Sequence, residues 1–129
     1  MPHEDGSAYF PVVATVSLGG STVLDVTSKR SPSDCVDTQP KRWRILQEPR
    51  SLLLTTGLAY SDTLHGIADV DEDTGLDAET VTNWMLLGDS QAFARRGGCN
   101  KRTSRISLTY RDVLKVSNVG SKIFGRSKA

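Results

Sequence analysis

The chain has 129 residues, room for one modest core, and 37% hydrophobic with 6% aromatic content leaves part of it outside that core. A formal net charge of +1 says nothing about a polyanionic partner, which only the local distribution of charge could indicate. No apolar run approaches the roughly 18 residues that a membrane helix needs, and no hydrophobic signal core opens the chain, so no membrane partner is expected.

In chain order, the stretch Tyr9 to Leu18 is β-branched and aromatic and carries Pro11, which predicts a strand. Gly19-Gly20-Ser21 is a turn signal before a second strand, Thr22 to Val26, and the pair is expected to form a β-hairpin. Residues 28–40, rich in Ser, Asp, Pro and Lys, predict a loop. Trp43 to Leu46 and Arg50 to Thr56 are two further strands across Glu48-Pro49, and Gly57 ends the second. A short segment then leads to His65-Gly66. Residues 69–102 predict a partly helical insert, its helix capped by Asp77 or Thr80 and running through Val81, Trp84, Met85 and Leu87. From Thr103 to Val116, Ile106, Leu108 and Tyr110 alternate with Arg105, Ser107, Thr109 and Arg111. That is a period-two strand expected to pack its apolar face in a core. The tail, residues 117–129, is basic and polar and predicts disorder. Cys35 and Cys99 lack metal or disulfide-motif spacing, which favours reduced thiols and a nuclear or cytoplasmic protein.

The chain has only two histidines. His3 and Asp5 are spaced i, i+2, so on an extended segment both side chains share a face. With His65 from elsewhere they would complete a 2-His-1-carboxylate set, which holds non-haem iron(II) and leaves positions open for cosubstrate and oxygen. Gly66 lets the backbone pack closely beside such a site. Spacing alone leaves the blander alternative standing, because a His-x-Asp pair arises often by chance. The face carrying Arg105, Ser107, Thr109 and Arg111 holds only cations and hydroxyls. It suits a small dianion, since Arg binds carboxylates bidentately. The two Arg Cα atoms would lie roughly 20 Å apart on a straight strand, so both reach one ligand only if the strand curves as in a small barrel.

Four pieces in order resemble the AlkB-like iron(II)/2-oxoglutarate dioxygenases, and among them the AlkB homolog 6 subgroup, plant members especially. They are Met1-Pro2-His3-Glu4-Asp5-Gly6 with its following strand, Leu46-Gln47-Glu48-Pro49-Arg50-Ser51-Leu52-Leu53, Leu64-His65-Gly66-Ile67, and Arg105-x-Ser-x-Thr-x-Arg111. The resemblance covers about residues 1–67 and 103–116. It implies a mostly β fold, a double-stranded β-helix (jelly roll) incomplete on its N-terminal side, with residues 1–116 forming the C-terminal part of the dioxygenase domain. It implies iron(II) on His3, Asp5 and His65. It also implies 2-oxoglutarate on Arg105, Ser107, Thr109 and Arg111, with Arg105 on the distal carboxylate. Ser107 stands where relatives carry Asn, which shortens its reach. The implied reaction consumes O2 and 2-oxoglutarate and removes an N-alkyl group from nucleic acid or, less readily, protein.

The upstream lid and strand of such proteins have no counterpart here, so weak iron binding and little activity are expected of this chain alone. The alternative is a non-catalytic, truncated isoform serving as a partner-binding β-domain; a cupin-like small-molecule binder ranks last. Arg95, Arg96, Lys101 and Arg102, with Lys115, Lys122, Arg126 and Lys128, are candidates for DNA or RNA phosphates. The acidic run from Asp69 to Asp77 beside them makes solvated charge the commoner explanation. Oligomeric state is left open.

Overall fold

The computed structural model describes residues 1–30 and 39–115. Most of the loop expected over residues 28–40, Cys35 included, lies outside the described residues. So does the tail with Lys122, Arg126 and Lys128.

The β-branched run near the N-terminus forms a strand, β1 (Tyr9–Gly19). Its odd positions turn inward, with Val13 and Ser17 buried. Its neighbours are not the next strand in sequence. β1 pairs antiparallel with both β4 (Ser51–Thr56) and β8 (Arg105–Val113), in the order β4-β1-β8. β2 (Thr22–Ser28) lies in a second sheet, between β3 (Arg42–Gln47) and β5 (Thr63–Gly66). The expected β1–β2 hairpin is therefore corrected: Gly19-Gly20-Ser21 carries the chain from one sheet to the other. Gly19 has φ +82°, and a Cβ on Gly20 would meet Thr103 Oγ1 at 2.3 Å. The Gly20 N–H donates to the Ser104 carbonyl at 2.8 Å. The turn is thus seated on the segment entering β8 and directed across the gap.

A second crossing follows β3. At the Glu48-Pro49 corner Arg50 takes φ +66° and its N–H donates to the Ser17 carbonyl at 2.7 Å, delivering β4 to the first sheet. Gly57, with φ +54°, ends β4 as expected and opens a short helix, α1 (Gly57–Ser61).

Residues 69–102 do more than interrupt the two three-stranded sheets. Leu76, Val81 and Phe93 from this segment bury themselves with Val23 of β2 and Leu46 of β3 in the main apolar cluster, and Trp84 and Leu87 pack against it. A two-stranded ribbon, β6 (Glu72–Asp73) with β7 (Asn100–Lys101), closes its base. The expected helix from Val81 to Leu87 is replaced by one 3-10 turn at Trp84–Leu86, and the α-helix lies later, α2 at Ser90–Arg95. Asp77 does cap the backbone, accepting from the N–H groups of Glu79 (2.9 Å) and Thr80 (2.8 Å). The chain beyond it then bonds to β3 rather than to itself. Thr82 N–H donates to the Arg44 carbonyl at 2.8 Å, and the Asn83 amide both donates to and accepts from Leu46, each at 2.9 Å. Those bonds complete the free edge of β3 and take the groups a helix would use.

β8 is a strand whose polar face turns inward, as binding a ligand there requires, but its apolar face does not pack in a core. Ile106, Leu108 and Tyr110 are 61%, 40% and 59% exposed rather than packed in a core. Their partners on β1 are Leu18, Val16 and Ala14, flanked on β4 by Leu52 and Leu54. The outer face of this sheet is therefore apolar, and the polar face of β8 points between the sheets. No helix among the described residues is long and apolar enough to cross a membrane.

Candidate active site

A cavity of about 450 Å³ opens between the sheets and is lined by all seven residues singled out in the sequence: His3, Asp5 and His65, with Arg105, Ser107, Thr109 and Arg111. Its polar wall is β8, whose odd positions face inward by strand alternation.

At one end the N-terminal segment lies along β5. His3 and His65 form an antiparallel bridge, and their rings stand 4.6 Å apart between centroids, tilted by 58°. Asp5 lies beyond the bridge, its side chain only 4% exposed. Its Oδ1 accepts from both Nε (2.9 Å) and Nη2 of Arg111, while Oδ2 faces His65 Nε2 at 3.9 Å. One carboxylate oxygen is thus held and the other turned toward the imidazole. Burial, the main cause, lowers the His65 pKa; the Asp5 carboxylate opposes this, and the neighbouring His3 and Arg111 reinforce it. A neutral imidazole is the form that ligates metals.

Further contacts, invisible in the motif spacing, anchor this segment. Tyr60 Oη donates to the Gly6 carbonyl at 2.6 Å, and Lys29 joins Glu4 to the Ser61 carbonyl. The Arg111 guanidinium lies 5.5 Å from the centroid of the Tyr9 ring.

At the other end Arg105 reaches from β8 across to β3. Its Nη2 donates to Ser17 Oγ and to Gln47 Oε1, both at 2.8 Å, and its buried Nε has no partner. Burial lowers its pKa, and the guanidinium remains the cation of this wall. The two arginines do not converge on one point: Arg111 turns to Asp5, and Arg105 is left free of carboxylates among the described residues. Ser107 and Thr109 lie on the inward face between them.

Two imidazoles and a carboxylate on one cavity wall are a donor set suited to iron(II). As the side chains stand, no three His, Cys, Asp or Glu residues among the described ones are grouped as a closed ligand cage. Of the basic cluster, Arg102 is not available to phosphates: it grips Asp73 through Nη2 (2.6 Å) and Nε (3.1 Å), with Asn100 beside it. Arg95 lies 3.7 Å from Asp89.

No protein-family model matches the chain. It is 36% identical over 120 residues to a Danio rerio protein described as "Probable RNA/DNA demethylase ALKBH6". The alignment takes in 90% of this chain and 48% of that protein, so the chain spans about half the length of the curated relative it matches. With this identity across nine-tenths of its length, and the His-x-Asp, His and Arg pieces in order along it, the chain belongs to the AlkB-like family.

Proposed function

We propose that this chain is the iron- and cosubstrate-binding half of an AlkB-type iron(II)/2-oxoglutarate dioxygenase that oxidatively dealkylates N-alkylated nucleic acid. The observation that carries the reading is the single cavity with a His-Asp-His set at one end and an unpaired, half-buried arginine at the other. The two antiparallel sheets around it suit a double-stranded β-helix. The relative's description as an RNA/DNA demethylase supports a nucleic-acid substrate.

His3, Asp5 and His65 would hold the iron, and iron with 2-oxoglutarate and O2 would supply the oxidising power. Arg105 takes the distal carboxylate of the cosubstrate. Ser107 and Thr109 offer hydroxyls along its length, and Arg111 fixes Asp5 Oδ1 so that Oδ2 keeps its direction. Iron(II) titration with and without 2-oxoglutarate, on the wild-type chain and on His65→Ala, tests the reading. Cosubstrate-enhanced iron binding that the substitution abolishes is expected, and unchanged affinity in His65→Ala refutes the ligand assignment.

A second reading, a non-catalytic β-domain, draws on the exposed outer face of Leu52, Leu54, Ile106 and Leu108, which a partner would cover. Robust iron binding by a chain that never consumes 2-oxoglutarate favours it.

A further inference from the structure

We infer that Gln47 is a positioning and charge-setting residue for the Arg105 anion seat; this rests on the dioxygenase reading above only for the identity of the anion. Gln47 is the last residue of β3 and is 4% exposed, and Ser17 on β1 is fully buried. Between them they accept two hydrogen bonds from the same Nη2 of Arg105, at 2.8 Å each. The Gln47 bond runs from the first sheet to the second, so it sets how far the guanidinium leans across the cavity. The amide must present its oxygen here, since its nitrogen and the guanidinium are both donors.

The chemical point is that both acceptors are neutral. A guanidinium lodged in the fold is more often held by a carboxylate, which cancels its charge; the part-buried Arg102 on Asp73 and the more exposed Arg111 on Asp5 follow that pattern in this same chain. Arg105 is oriented without being neutralised, and its buried Nε is left with no partner beside the cavity. A buried donor without a partner, on a partly buried cation with no counter-charge, is costly unless an anion completes it. Gln47 therefore fixes the direction of the cation while leaving its charge for a carboxylate ligand. It is not itself a ligand of the reacting atoms.

Gln47→Glu keeps the shape and the hydrogen bond to Arg105 but adds a carboxylate that competes with the ligand. Gln47→Met removes the hydrogen bond and adds no charge. If Gln47 served only structure, Gln47→Glu would be the milder change. We expect the reverse. The probes are glutarate without metal, and 2-oxoglutarate with manganese(II), titrated calorimetrically into the full chain, with circular dichroism confirming the fold of each variant and Arg105→Ala as the reference for loss.

Gln47→Glu should weaken both ligands by at least about tenfold, and Gln47→Met by a few-fold. Binding by Gln47→Glu within twofold of wild type, or tighter than Gln47→Met, overturns the assignment, as does a folded wild type that binds neither dianion. Should Gln47→Glu not fold, Gln47→Met alone decides: affinity for glutarate unchanged from wild type overturns it. Glutarate binding that depends on Arg105 and Gln47, with no gain for 2-oxoglutarate from manganese(II), supports the assignment while removing the dioxygenase reading.

Discussion

His3 and His65 exchange two backbone hydrogen bonds of 2.9 Å, so each candidate ligand is placed by the main chain of the other. The N-terminal segment is thereby a short added strand on β5, and its position depends on close backbone approach.

That approach is set by Gly66. A Cβ there would lie 3.2 Å from Pro2 Cα and 3.3 Å from Pro2 N. Gly66→Val should push the His3 segment off β5 and lower iron(II) affinity about tenfold, consistent with an overpacking cost of ~1–3 kcal/mol. Because residues 1–4 are exposed, the urea midpoint of the whole chain should barely move. Equal iron affinity in Gly66→Val and wild type contradicts the contact.

Asp73 is the carboxylate on which the β6–β7 ribbon closes, 3% exposed in its side chain and shared between Arg102 and Asn100. Asp73→Ala leaves the part-buried Arg102 without its counter-charge. A loss of about 3 kcal/mol in urea unfolding is expected, in the range for breaking a buried pair. A loss below 1 kcal/mol contradicts that role.

The segment 69–102 should behave as core. Leu76→Ala, at a site 1% exposed, is expected to destabilise by about 2–4 kcal/mol through lost burial and the cavity left behind. Met85→Ala, at a site 88% exposed, should change stability by under ~0.5 kcal/mol. Chemical denaturation of the two variants side by side makes the comparison, and equal effects count against it.

His65 titrates below its ordinary value of 6.5, chiefly because burial disfavours the charged ring. The unfolded chain then takes up the proton first on acidification. The stability tied to the neutral ring is fully present above pH 6.5 and is lost as pH falls through the folded value. A nuclear magnetic resonance titration of the His65 ring in the metal-free chain should show a midpoint below 6.5; one above it refutes the assignment.

Much of this was legible in the sequence where local pattern and local structure agree. The strands at Tyr9–Gly19, Arg42–Gln47 and Ser51–Thr56 follow from β-branched runs and from Gly57, and the seven candidate residues do line one cavity. Sheet membership was not legible, because Gly19-Gly20-Ser21 reads the same whether it folds a strand back or sends it across. The polarity of β8 misled for a related reason. Alternation shows that a strand has two faces but not that the apolar one is covered; here the polar face lines the cavity as expected, while the apolar one lies outside. The helix expected at Val81 failed since Thr82 and Asn83 bond to β3, a long-range choice that no local capping signal records. Gln47 was visible within a motif, yet nothing in its spacing announces a partner on β8.

The pairing of Gly19 with Arg105 also has a kinetic meaning. β1 lies at the centre of its sheet, but one neighbour arrives only after β2, β3, β4, β5 and the whole 69–102 segment have been threaded. Closing so long a loop costs entropy before any strand pairing repays it, and topologies dominated by such contacts fold in milliseconds to seconds. We expect the arginine-bearing wall to assemble last, and a dianion that fills the seat to stabilise the finished fold mainly by slowing the departure of β8. Stopped-flow unfolding with and without glutarate separates that outcome from a faster refolding rate.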